Sequence, residues 1–351
     1  MTLTEVLKQI CDVDERVARD TALRLDRLTK PQGSLGRLEE LAVQYCTMTG
    51  ERKPAVPKGV VFTFAADHGV VDEGVSAYPR EVTAQMVLNF LRGGAAVNVL
   101  ARHAGVEVQV VDIGVAYEFE PIASLINRKL MKGTRNMAHE PAMDRTTAEQ
   151  ALMVGIDLAT DAAREGVGLI ATGDMGIGNT TASAAITAIL TASNVDDVTG
   201  QGTGIDEHGR RKKVEVIERA LTRLRPDPVD AIDVLAKVGG LEIAGMAGLI
   251  LGSAAAKVPV VLDGFIAGAS ALIACELQPR CRQYLIASHR SVERGHTVVL
   301  DHLRLKPLLD LDLRLGEGTG ACLAMGLVQA AIKILTEMAT FGEAGVSERT
   351  T

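Results

Sequence analysis

The chain has 351 residues and a formal net charge of −7, from 37 Lys and Arg against 44 Asp and Glu. Hydrophobic residues make up 47% and charged residues 23%, enough apolar surface to offset the entropy of ordering, so a mainly disordered chain is excluded. Aromatics are only 3%, with no Trp, which argues against a nucleobase-stacking platform, and the acidic balance repels nucleic acid, so an anionic ligand has to be held locally.

The N-terminus MTLTEVLKQICDVDER carries charges throughout and has no apolar stretch of the secretion-signal kind. Five cysteines, an odd number, form no CxxC, which together predict a reducing cytoplasm. Residues 1 to about 55 read as helices, with apolar residues at three-and-four spacing in TALRLDRL and LGRLEELAVQYCTM, parted by Pro31-Gln32-Gly33-Ser34. Pro54 and Pro57 mark a boundary. From Val60 the texture changes to short β-branched runs between Ala-rich helical stretches: GVVFTFAAD (59–67), VEVQVVDIG (106–114), GVGLIATGD (166–174) and VPVVLDG (258–264). Each is a continuous apolar run bounded by Gly or Asp, the pattern of strands buried on both faces of a parallel sheet. Ile243 to Ala256 is uncharged but falls short of the roughly 18 residues of a membrane span, so it is expected to be a buried helix before a strand. The end of the chain returns to helix over 321–339, and GEAGVSERTT is expected to fray.

In open parallel sheets, ligands bind at the carboxyl ends of strands. After the third run comes Gly173-Asp174-Met175-Gly176-Ile177-Gly178-Asn179-Thr180-Thr181, opening an Ala-rich helix. Glycines before a helix let backbone N–H groups approach an anion. The segment lacks the Lys-Ser or Lys-Thr of a triphosphate loop and departs from GxGxxG, and a plain tight turn is the alternative. Arg314-Leu315-Gly316-Glu317-Gly318-Thr319-Gly320 opens another helix. A glutamate stripped of neighbouring side chains can reach into a pocket as a base. The alternative is a carboxylate capping its own helix. His68 beside Asp67 fits a metal or catalytic pair, or a turn-stabilising hydrogen bond. Ser288-His289-Arg290-Ser291 fits a phosphate site or a solvated loop. Arg210 to Lys213 reads as a solvated basic run before a helix, from which one lysine could turn inward.

Several segments together carry a resemblance: KPQGSLGRLEELA (30–42), ADHGVVDEGVSAYP (66–79), GDMGIGNTTASAA (173–185), DVLAKVGG (233–240), VLDGF (261–265) and RLGEGTGA (314–321). In this order, over nearly the whole chain, they resemble the nicotinate-nucleotide–dimethylbenzimidazole phosphoribosyltransferases of cobalamin lower-ligand synthesis. The resemblance implies a parallel α/β sheet wound with helices, Rossmann-like, plus a smaller helical domain built from both chain ends. Its expected boundaries are 1–58 (N-terminal helices), 59–285 (α/β nucleotide- and base-binding domain) and 286–351 (C-terminal part carrying the catalytic residue). It implies Glu317 as catalytic base, with Tyr78, Gln85, Asp174, Met175, Gly176, Asn179, Gly202, Lys213, Asp263, Ser291, Arg314, Leu315 and Gly316 binding substrate. Asp174 stands where family members carry glutamate, and Tyr78 where some carry a small polar residue. Also implied are a homodimer whose pockets take residues from the partner, small-molecule substrates, and no nucleic acid or membrane partner. No cofactor or metal is expected, because a neutral nicotinate leaving group gives a cation nothing to neutralise. Two other classes stay open to test: a nicotinamide-dependent oxidoreductase and a noncatalytic nucleotide-binding regulator.

Overall fold

Three helices open the chain: α1 (Leu3–Gln9), α2 (Glu15–Asp26) and α3 (Arg37–Thr49). Then follow β1 (Lys58–Ala66), α4 (Val82–Leu91), α5 (Ala96–Ala104), β2 (Glu107–Gly114), β3 (Leu125–Asn127), α6 (Arg145–Arg164) and β4 (Val167–Met175). Next come α7 (Asn179–Thr191), α8 (Val195–Val198), α9 (Glu207–Leu224), α10 (Ala231–Val238), α11 (Leu241–Ala255), β5 (Val260–Leu262) and α12 (Phe265–Leu277). The chain closes with β6 (Leu285–Ala287), α13 (Arg294–Leu303), α14 (Thr319–Glu337) and α15 (Phe341–Ala344). The computed structural model describes residues 1–347.

All six strands pair in parallel, in the order β3-β2-β1-β4-β5-β6. The chain therefore winds outward from β1 in one direction and restarts from β4 in the other. The carboxyl ends of β1 and β4 flank the point where the direction reverses, which is where a crevice opens in such sheets. The strands are apolar throughout because both faces are covered. Phe64 of β1 packs against Gly245 of α11, while Gly59 and Val61, of opposite parity, meet Met325 of α14 and Gly318. Successive side chains in a strand point to opposite faces, so α11 and α14 sandwich the sheet. α6 and α11 approach backbone to backbone: a Cβ on Gly155 would lie 1.9 Å from the Gly245 carbonyl oxygen, and one on Gly248 1.9 Å from that of Leu152.

The two chain ends meet. Leu28 and Thr340 form an antiparallel bridge, Thr29 N–H donates to the Ala339 carbonyl and Phe341 N–H to that of Arg27. α14 also packs on α3 and α5. By length and composition α14 is apolar enough to cross a membrane, yet its buried residues form part of the core beneath the sheet.

The four expected strands are present, and Leu241–Ala255 is the expected buried helix before a strand. α1 falls within the helical reading of residues 1–55 and is started by a capping box in which Thr2 and Glu5 exchange hydrogen bonds. Three readings need correction. β3 and β6 are unforeseen; three residues at a sheet edge are too few to show a period. The basic run 210–213 lies inside α9 rather than before it. Part of the expected frayed end is ordered, since Thr340 and Glu343 form a capping box on α15; residues 348–351 lie outside the described residues.

Candidate active site

β4 ends at Asp174 and Met175, and Gly178, at φ 94°, turns the chain into α7. The turn is stapled by Ile177 N–H to the Thr83 hydroxyl (3.2 Å) and Asn179 N–H to the Gly176 carbonyl (3.1 Å). No side chain caps α7, and its first residues, Asn179 and Thr180, line a cavity of about 490 Å³, so the positive end of the helix dipole lies beside a site suited to an anion.

The facing wall is the turn before α14. Gly316, Glu317 and Gly318 have φ of 85°, 65° and 99°, three consecutive left-handed residues. Glu317 is pinned there from both sides: its N–H donates to the Asp174 carbonyl (3.2 Å), and the Thr63 hydroxyl donates to its own carbonyl (3.0 Å). This backbone throws the side chain off the axis of its own helix. Its carboxylate lines the cavity, 5% exposed, and Oε2 accepts the Val97 N–H at the start of α5 (3.3 Å). Burial raises its pKa, and the Val97 bond opposes the rise.

The cap on α14 is Asp263, not Glu317. Asp263 Oδ1 accepts from Gly320 and Ala321 N–H (2.8 and 3.1 Å), and Oδ2 from Gly318 N–H (3.1 Å). Burial pushes this carboxyl up to about 7 against those three donors. Asp174, also buried, accepts from the Asn179 amide (2.9 Å), and Gly316 is pressed against it. Burial, then the nearby carboxylates of Asp263, Glu242 and Glu317, holds Asp174 well above the usual carboxylate range.

Of the residues expected to bind substrate, Tyr78, Asp174, Met175, Gly176, Asn179, Gly202, Ser291, Arg314, Leu315 and Gly316 line this cavity together with Glu317. Tyr78 and Leu315 stand at its mouth, 54% and 58% exposed. Three residues lie elsewhere. Asp263 sits behind the wall, both oxygens turned to α14. Lys213 is buried under the wall and donates to the Thr180 hydroxyl (2.6 Å), so it meets the cavity through Thr180. Gln85 is exposed on α4, outside the lining. The apolar wall of Val82, Met86, Ile177, Phe265 and Ile266 was not anticipated, nor were Thr203 and Glu293. His289 was readable from the SHRS segment; Glu293 carried no signal beyond its proximity to that segment. His68 does not pair with Asp67: it meets Glu242 (2.6 Å), both fully buried, while Asp67 accepts the Ala116 N–H. Among the described residues no group of three or more His, Cys, Asp or Glu is placed to hold a metal ion.

A family model described as "Phosphoribosyltransferase" matches residues 10–346. The nicotinate-nucleotide–dimethylbenzimidazole phosphoribosyltransferase of Geobacter sulfurreducens is 61% identical over 346 residues, 99% of this chain and 98% of the relative. The protein of the same name from Chloroflexus aggregans is 59% identical over 347 residues, with the same coverage. The chain belongs to this phosphoribosyltransferase family. It is accordingly an enzyme of the pentosyltransferase class. The crystal structure of CobT from Thermus thermophilus superposes on this phosphoribosyltransferase with a TM-score of 0.91 at 51% identity, covering 95% of this chain and all of that one. The α/β fold with its parallel sheet is therefore the fold of the family.

Proposed function

We propose that the enzyme transfers 5-phosphoribose from nicotinate mononucleotide to 5,6-dimethylbenzimidazole, with inversion at the anomeric carbon, giving α-ribazole 5′-phosphate and nicotinate for the nucleotide loop of cobalamin. The observation that carries this reading is Glu317: one carboxylate, pinned by its backbone, buried, and aimed into a cavity opposite a helix N-terminus.

The chemistry asks for one base and no acid. The bond that breaks joins the anomeric carbon to a cationic pyridinium nitrogen, whose electron pair returns to the ring, so nicotinate leaves without protonation. The lone pair on one benzimidazole nitrogen forms the new bond from the opposite face, and the N–H proton of the other nitrogen goes to the Glu317 carboxylate. A carboxylate with its pKa raised by burial is a stronger base than one in water. The apolar wall of Val82, Met86 and Ile177 suits a flat methylated heterocycle. We assign the 5′-phosphate to the Gly176–Gly178 turn and Thr180, with Lys213 behind it and Ser291 and Arg314 beside it. Holding the anomeric carbon near the attacking nitrogen supplies the larger share of catalysis in such a transfer.

We read residues 1–58 and 286–351 as parts of a smaller helical unit around the 59–285 sheet unit, supported by the hydrogen bonds between Leu28–Thr29 and Ala339–Thr340. The exposed Tyr78 and Leu315 at the cavity mouth support a homodimer in which the partner closes the site. Five unpaired cysteines support a reducing, cytoplasmic setting. Incubating the purified protein with nicotinate mononucleotide and dimethylbenzimidazole, then separating products by chromatography, tests the reaction. Release of nicotinate with the α-nucleotide is expected. Binding without release would leave only a nucleotide-binding regulator, and a fluorescence change with NADH would favour an oxidoreductase.

A further inference from the structure

A third buried carboxylate, besides Glu317 and Asp174, lines the same cavity on the side of Lys213. Glu293 follows the Ser288–Ser291 segment, and its N–H donates to the Ser291 hydroxyl (3.3 Å). It is 7% exposed. A carboxylate beside a site for a phosphate monoester repels its ligand unless its oxygens are turned away. They are turned away here. Oε1 accepts the Gly202 N–H at 2.9 Å. Oε2 is buried, with no hydrogen-bond partner among the described residues, and rests on Gly200, where a Cβ would come within 2.1 Å of it. The turn it holds, Gly200 to Thr203, is gripped at other points too. Arg314 donates to the Gly202 carbonyl (3.3 Å), and the Thr203 hydroxyl accepts from Ala77 N–H (3.1 Å) next to Tyr78.

Under this turn lies Lys213, whose amine would be 3.1 Å from a Cβ on Gly202. Burial pushes this lysine down to about 8 even against the opposing charge of Glu293. The other charged groups around it are committed elsewhere. On α9, Arg210 is bound by Glu207 and Asp196, the latter from α8. α7 offers Thr180 and no ionisable side chain along its length. On α10, Asp233 and Lys237 pair with each other. Arg314 reaches the turn from its far side. Glu293 is the carboxylate left facing Lys213.

We propose that Glu293 is a positioning residue for the phosphate end of the nucleotide, which it serves by fixing the 200–203 turn and balancing the buried charge of Lys213. It touches neither the anomeric carbon nor the base. Its loss should therefore weaken nucleotide binding and leave the chemical step nearly intact. This rests on the functional reading given above.

The test is steady-state kinetics of the full-length enzyme with Glu293→Gln, which keeps an oxygen for the Gly202 N–H and removes the charge. KM for nicotinate mononucleotide is expected to rise by about tenfold or more near pH 8, with kcat changed by less than about threefold and KM for dimethylbenzimidazole unmoved. Because Lys213 then loses its proton more easily, the alkaline rise of the nucleotide KM should shift to lower pH. Should Glu293→Gln fail to fold, Gly200→Ala, whose methyl displaces Oε2, is titrated with nicotinate mononucleotide in a calorimeter and should bind more weakly than wild type. An unchanged nucleotide KM and pH profile, or unchanged affinity in Gly200→Ala, overturns the proposal while wild-type turnover upholds the reaction. A wild-type enzyme that releases no nicotinate overturns both.

Discussion

Glu317 occupies a left-handed backbone conformation that costs a residue with a Cβ on the order of 1–3 kcal/mol. Bonds from Glu317 N–H to Asp174 and from Thr63 to the Glu317 carbonyl hold it there, in the lining of the cavity, and its carboxylate accepts from Val97 instead of from its own helix. Glu317→Gln should keep the fold and lower kcat by about 10²–10⁴. In the wild type, the base has to be ionised, so kcat should fall as pH drops through the Glu317 pKa. Burial places that midpoint above the ordinary 4.5. Near wild-type turnover with an unchanged acid limb in Glu317→Gln would remove Glu317 from the mechanism. At Asp174 the carboxyl, its pKa raised by burial, is wedged between Asn179 and Gly316. Asp174→Glu adds one methylene on the cavity wall. Turnover should stay within about tenfold while the ranking of accepted bases shifts, since a methylene in a pocket alters discrimination by about 1–3 kcal/mol. An identical ranking across benzimidazoles and purines would show that the side chain does not touch the base.

At the scale of elements, the site is made by two helix starts at strand ends. α7 begins after β4 with no side chain capping it, and its first residues, Asn179 and Thr180, line the cavity. α14 begins opposite, but its first N–H groups are taken by Asp263 from the end of β5. One helix start thus carries no side-chain cap and the other is capped by Asp263, the division on which the proposed anion site and the proposed base rest. Asp263→Ala should test this division. Losing three accepted bonds should cost ~1–3 kcal/mol in urea unfolding. Freeing Gly318 should also lower kcat, because the turn that aims Glu317 loses its anchor. Full stability with full turnover would show that the cap is dispensable.

For the whole molecule, the strand order sets the crevice between the ends of β1 and β4, and the two ends of the chain are joined to each other at the Leu28–Thr340 bridge. The reaction proposed there releases a neutral ring, so it offers no developing negative charge for a cation to offset. Initial rates should be unchanged by EDTA, and phosphoribosyl pyrophosphate should not replace nicotinate mononucleotide. Loss of activity on chelation, restored by Mg²⁺, would reopen the carboxylates around the cavity as ligands.

Much of the architecture was determined by the sequence alone, because its signals are local. A strand buried on both faces has to be apolar at every position, so 59–67, 106–114 and 166–174 read as parallel strands without reference to their neighbours. Glu317 was legible for a similar reason: glycines on either side uncover a carboxylate, and only the conformation they permit explains them. The tertiary structure decided what depends on contacts between distant segments, which leave no periodic trace. The three-residue edge strands β3 and β6 exist because their neighbours offer free backbone groups. Whether Glu317 or Asp263 capped α14 was settled by the approach of β5, 55 residues earlier in the chain. Lys213 sits in a run of four basic residues, and only the packing of α9 against α7 and the 200–203 turn buried that one under the cavity wall.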